Sequence, residues 1–170
     1  MKNVLSIWVQ NVPGVLSHVS GLLAARGYNV DSLTVGATDD KRFSRMTIVV
    51  DCDKDVMKQI ELQLRKLVTV VDTTDLSDVP HVERELALIC VEVDHGRRCG
   101  VLELVQIFRG FVVDVADKSL LVQITGEGAK IDAFIAALKP YKVASVTRSG
   151  CIAAPRGNGK SEESEESEEE

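Results

Sequence analysis

Asn11, Pro13, Gly14 and Asn29 are the residues whose types and spacing could do chemistry, and the chemistry is anion recognition. They lie in Val9 to Asn29, VQNVPGVLSHVSGLLAARGYN, which reads as a strand end, a tight turn and an amphipathic helix stopped by Gly27. The first N–H groups of a helix have no partner inside it, and the aligned peptide dipoles place about half a positive charge there. A carboxylate is a natural guest at such an end. Asn11 offers a side-chain amide at the turn, Pro13 suits the first helical position, and Gly14 lets a ligand approach the backbone without meeting a Cβ. The order N-x-P-G also serves as an ordinary strand-to-helix turn, so the pattern alone leaves both readings open.

Other chemistry is thinly represented. The chain has no G-x-S-x-G, H-E-x-x-H, G-x-x-x-x-G-K-S/T or G-x-G-x-x-G. Gly126-Glu127-Gly128 reads as a strand-to-helix turn rather than a phosphate loop, and Asp39-Asp40 as a solvated pair in a hairpin turn. Arg97-Arg98 is either a solvated basic turn or a grip for a partner's carboxylate. Cys52, Cys90, Cys99 and Cys151 form no C-x-x-C pair and do not fall at metal-ligand spacing with His18, His81 or His95. Reduced, mostly buried thiols and no metal are expected.

The 170 residues carry a net charge of −6, but seven glutamates lie between Glu162 and Glu170. The remainder holds 20 basic against 19 acidic residues, without the clustered positive charge that nucleic acid requires. No apolar run reaches the roughly 20 residues of a membrane span, and the start MKNVLSIWVQ goes directly into strand-like alternation. A cytoplasmic protein is expected. SEESEESEEE repels itself and buries nothing, so residues 158–170 are expected to be a disordered acidic tail.

The elements that must position the candidate residues follow from periodicity. Leu5, Ile7 and Val9 share one face of a strand that places Trp8 on the other. A helix from about Pro13 to Arg26 buries Val15, Val19, Leu22 and Leu23. Strands from Tyr28 to about Thr38 and from Phe43 to Val50 flank a polar turn, with Met46, Ile48 and Val50 pointing to the core. Asp53 suits the cap of a helix bearing Val56, Ile60, Leu64 and Leu67, followed by a β-branched run from Val68 to Thr74. The order β-α-β-β-α-β is the ferredoxin-like pattern. After a non-periodic LSDVPH the order repeats: strand Glu85–Val93, helix Gly100–Phe108, strands Phe111–Val115 and Leu120–Thr125, helix Ala129–Leu138, strand Lys142–Thr147. The fold class is α+β, two tandem ferredoxin-like βαββαβ domains. Halves this small are marginal alone and recruit neighbouring surfaces, so a homodimer or higher homo-oligomer is expected.

Several blocks resemble the small regulatory subunits of acetolactate synthase (acetohydroxyacid synthase). They are Gln10–Ser17 (QNVPGVLS), Arg26–Val35 (RGYNVDSLTV), Ser44–Ile48 (SRMTI), Gln59–Leu67 (QIELQLRKL), His81–Leu86 (HVEREL) and Phe108–Gly110 (FRG), with KIDAF at Lys130–Phe134 and TRSG at Thr147–Gly150. The resemblance runs from Met1 to about Gly157. It implies an ACT domain over residues 1–76, a linker over 77–83 and a C-terminal regulatory-subunit domain over 84–157. It also implies a non-catalytic chain that binds a branched-chain amino acid, usually valine, between paired ACT domains. Such a chain activates a large catalytic subunit and confers feedback inhibition on it. Thiamine diphosphate, Mg and FAD are then cofactors of that partner, and none belongs to this chain. Carried over position by position, Asn11, Gly14 and Asn29 are the implied effector contacts, with Val12, Pro13, Val15 and Val30 as weaker ones that also suit core or turn roles. Two rivals stand beside this reading, an ACT-type amino-acid sensor serving a different enzyme or regulator and a small ferredoxin-like enzyme.

Overall fold

A computed structural model describes residues 2–157. The glutamate-rich tail expected at 158–170 lies outside the described residues. The chain divides into two units, one running to Val82 and including the segment from Ala153, the other spanning Glu83–Ile152.

The first unit has the order β1 (Lys2–Gln10), α1 (Val15–Ala25), β2 (Val30–Ala37), β3 (Phe43–Asp51), α2 (Lys54–Leu64) and β4 (Val70–Asp75). Its antiparallel sheet is ordered β2-β3-β1-β4, which leaves β2 and β4 as edges. The register sets Ile7 of β1 opposite Met46 of β3 and Thr73 of β4. One sheet face, built on Leu5, Ile7, Val9, Met46, Ile48 and Val50, packs against Val19 and Leu23 of α1 and Met57, Ile60 and Leu64 of α2. Each large aliphatic side chain buried there contributes about 1.5–3 kcal/mol. Trp8 lies on the other face, edge-on to Phe43 with ring centroids 5.6 Å apart and with the Arg45 guanidinium over its ring.

The second unit repeats the order with β5 (His81–Glu92), a 3-10 turn (His95–Arg97), α3 (Arg98–Ile107), β6 (Phe111–Val115), β7 (Ser119–Gly126), α4 (Gly128–Ala137) and β8 (Lys142–Arg148). Its strand order is β6-β7-β5-β8, and a short β9 (Ile152–Pro155) pairs with β5. Ile89, Val91, Val122 and Ile124 of the sheet meet Val101, Val105, Ile131 and Phe134 of the helices. Arg148 ties three elements together, donating through Nε and Nη2 to Glu85 and through Nη1 to Asp132, each at 2.7 Å.

The fold is thus two tandem ferredoxin-like βαββαβ units. Several local expectations are corrected. β5 begins at His81, so residues expected as linker are already strand. Met57, absent from the expected apolar stripe of α2, is fully buried, whereas Val56 and Leu67 are half-buried. Asp53 holds the N-cap position of α2 without a side-chain cap bond, and its carbonyl receives the N–H of Met57 at 3.0 Å. β9 escaped the periodicity because four residues are too few to show one.

Candidate functional site

α1 begins at Val15, two residues later than expected, because Gly14 rather than Pro13 makes the turn into it. Gly14 is the N-cap in the left-handed region at φ +87°, where a side chain is strained. A Cβ built on Gly14 meets nothing within 4 Å, so the space over the helix start is open. No side chain caps the helix, and its first turn contains no acidic residue. The positive end of the dipole is therefore uncompensated from within its own first turn.

The loop before it is held from behind. Gln10 N donates to Thr69 O at 2.8 Å and Asn11 N to Arg42 O at 2.7 Å. The Asn11 side-chain amide donates to Lys41 O at 3.0 Å, so Asn11 anchors the loop to the β2–β3 turn instead of capping the helix. That bond orients the amide and leaves its Oδ1 as the group able to accept from a ligand. Arg42 is itself paired with Asp40 through three side-chain bonds, and this pairing holds the Asp40 carboxyl below its usual range. The sequence carries no local signal for these supports, because they come from residues about 30 and 60 positions away.

The weaker contacts divide. Pro13 and Val12 are exposed beside the helix start. Val15 is only 8% exposed and belongs to the core cluster. Val30 is half-buried, packs on the same core and pairs with Val50 of β3.

Asn29 is exposed, but it stands at the other end of α1. The helix ends in a Schellman motif, with Gly27 at φ +70° donating to Ala24 O at 3.0 Å and Tyr28 N donating to Leu23 O at 3.1 Å. Eleven residues at a rise of about 1.5 Å separate the two ends by about 16 Å. An amino acid is roughly 6 Å long by bond geometry, so one chain cannot present Gly14 and Asn29 to a single such ligand.

The corresponding helix start in the second unit is occupied by the chain itself. A Cβ on Gly100 of α3 would lie 2.2 Å from the Tyr141 hydroxyl. Arg97 stacks over the Tyr141 ring at 5.1 Å and donates to Pro140 O at 2.8 Å. Arg98 donates to the carbonyls of Ala116 and Asp117. The two arginines read as a solvated turn or a partner's grip therefore staple loops of their own unit. No disulfide joins the cysteines; Cys99 is exposed and the other three are half-buried, less buried than expected. Burial, reinforced by Glu83, pushes the Cys151 thiol up to about 11, and burial also raises that of Cys52.

A family match over the first of two tandem ferredoxin-like units, the unit with the open helix start beside an anchored asparagine, makes this an ACT-domain protein. The family model described as the AHAS small subunit-like ACT domain matches residues 5–72, and that described as the small subunit of acetolactate synthase matches residues 84–157. The chain belongs to the acetolactate synthase small-subunit family. It is 43% identical to the acetolactate synthase small subunit of Aquifex aeolicus, over 97% of this chain and 86% of that one. It is 42% identical to the acetolactate synthase isozyme 3 small subunit of Escherichia coli, over 93% and 98% of the two chains. The crystal structure of the acetolactate synthase small subunit from Thermotoga maritima superposes with a TM-score of 0.86 at 39% identity, covering 93% of this chain and 99% of that one.

Proposed function

We propose that this chain is the regulatory subunit of acetolactate synthase in the cytoplasm. It activates a thiamine-diphosphate-dependent large subunit and confers feedback inhibition by valine or a related branched-chain amino acid. Residues 1–76 form the ACT domain that binds effector and pairs with a second copy, and residues 84–157 form the C-terminal regulatory domain. Catalysis, with its thiamine diphosphate, Mg and FAD, resides in the large subunit.

The observation that carries this reading is the separation of Gly14 and Asn29 along α1. Two copies related by a two-fold axis, with their α1 helices side by side and antiparallel, bring the Gly14 end of one beside the Asn29 end of the other. The exterior of α1 suits such an approach, because Ser17, Ser20, Gly21 and Ala24 are exposed and uncharged. Gly21 has no local need to be glycine: a Cβ there meets nothing within 4 Å, yet glycine inside a helix costs about 1 kcal/mol relative to alanine. β2 is an edge strand of the first unit's sheet.

In this site the backbone N–H groups at the start of α1 receive the effector carboxylate, and the amide oxygens of Asn11 and of the second copy's Asn29 accept from its ammonium group. Val12 and Pro13 border the aliphatic side chain. Such a border separates valine from leucine by about 1–3 kcal/mol. Effector binding shifts the enzyme only by its differential affinity for two states of the pair, a coupling of about 1–3 kcal/mol.

The test is the activity of the purified large subunit with and without this chain across a valine titration. Stimulation by the chain and its reversal by valine are expected. Absence of both overturns the reading in favour of an amino-acid sensor serving another enzyme.

A further inference from the structure

Asn11 is held by two consecutive carbonyls of the β2–β3 turn, its side-chain amide donating to Lys41 O at 3.0 Å and its backbone N–H to Arg42 O at 2.7 Å. A side-chain amide turns easily about its last torsion unless a bond fixes it. Exchanging its two ends would offer an ammonium group a donor in place of an acceptor. The direction of the Lys41 carbonyl therefore decides what Asn11 presents.

That direction is set by Asp40. A trans peptide group is planar, so its C=O and N–H point opposite ways, and the peptide whose carbonyl meets the Asn11 amide carries Arg42 N on its other edge. Arg42 N donates to Asp40 Oδ1 at 3.0 Å. One peptide plane is thus gripped by the Asp40 carboxylate on one edge and by the Asn11 amide on the other. An ionised acceptor at the N–H also polarises the peptide and strengthens its carbonyl as an acceptor.

The carboxylate is itself fixed. Arg42 Nε donates to both its oxygens, at 3.0 and 2.9 Å, and Nη2 donates to Oδ2 at 2.6 Å. The Asp40 carbonyl accepts from Thr38 Oγ1 at 2.8 Å and from Phe43 N at 2.9 Å, so the turn is closed on itself independently of Asn11. The two carboxylates expected as a solvated pair differ accordingly, Asp39 being exposed and Asp40 half-buried.

We infer that Asp40 is a positioning residue of the effector site, acting through the Lys41–Arg42 peptide to keep the Asn11 amide oxygen turned toward the effector's ammonium group. The inference rests on the site proposed above and assigns Asp40 no contact with the effector.

Valine binding by calorimetry to the full-length chain tests it, with Asp40→Ala, Asp40→Asn, Asn11→Ala and the double variant Asn11→Ala with Asp40→Ala. Asp40→Ala is expected to weaken binding about fivefold, the change that one lost hydrogen bond brings. Its melting midpoint is expected to stay within about 2 °C of wild type, since the turn lies at the surface. Asp40→Asn retains an acceptor for Arg42 N and is expected to bind within about twofold of wild type. In the Asn11→Ala background Asp40→Ala is expected to add less than about twofold, because a residue that acts only through Asn11 has nothing left to position. Wild-type affinity in Asp40→Ala overturns the inference and leaves the proposed function standing. So does a fivefold loss that Asp40→Asn shares in full, or one that recurs undiminished in the Asn11→Ala background, since Asp40 would then act by its charge or on the site as a whole. Absence of valine binding to the wild-type chain removes the proposed function and this inference together.

Discussion

A site shared between two chains can be tested by trans-complementation of Asn11→Ala with Asn29→Ala. Each substitution removes one acceptor for the effector's ammonium group, and a hydrogen bond to a charged group contributes about 1.5–3 kcal/mol. Each homopair should therefore bind valine about 10–150-fold more weakly than wild type. In the heteropair, one site combines both substitutions and the other combines the intact loop of one chain with the intact Asn29 of its partner. Two differently tagged chains, co-expressed and purified through both tags in sequence, isolate that heteropair. Calorimetry should then show wild-type affinity at about half the wild-type number of sites. A site confined to one chain gives a different result, because every such site would carry one substitution. A heteropair with no binding at wild-type affinity refutes the argument from the length of α1.

Two further outcomes follow from the packing and the thiol environments. Cys99 should react first with a maleimide, while Cys151, near 11, holds about one thiolate in a thousand at pH 8 and should speed up about tenfold per pH unit toward pH 10; reaction of Cys151 as fast as Cys99 at pH 8 contradicts its burial. Phe134→Ala removes a fully buried ring packed edge-on against Phe108 at 5.2 Å, and should destabilise the second unit by about 3–5 kcal/mol in denaturant unfolding; a loss below about 1 kcal/mol would show that this core is not closely packed.

Both helices of each unit and the first eight strands were legible because apolar periods and β-branched runs are local properties of the chain. Leu5, Ile7 and Val9 alternate, and Ile131, Phe134, Ile135 and Leu138 recur at helical spacing, so each segment declares the face it must bury. Short or capping features were not legible in this way. Pro13 suggested a helix start, but the left-handed turn falls at Gly14, and β9 is too short for a period. Val15 and Val30 look the same in sequence whether they line a ligand or a core, and only packing showed Val15 within the core cluster and Val30 half-buried against it.

From composition and order alone came the two ferredoxin-like units, the poverty of catalytic groups and the candidate helix start at Gly14. Tertiary structure decided what those groups can do. It showed Asn11 tied to Lys41, Arg97 and Tyr141 filling the second unit's helix start, and Gly14 and Asn29 held about 16 Å apart by a rigid helix. The physical reason is that periodicity records which face of an element avoids water, a relation between near neighbours. Sites are built from groups distant along the chain, and their separation exists only once the backbone is folded.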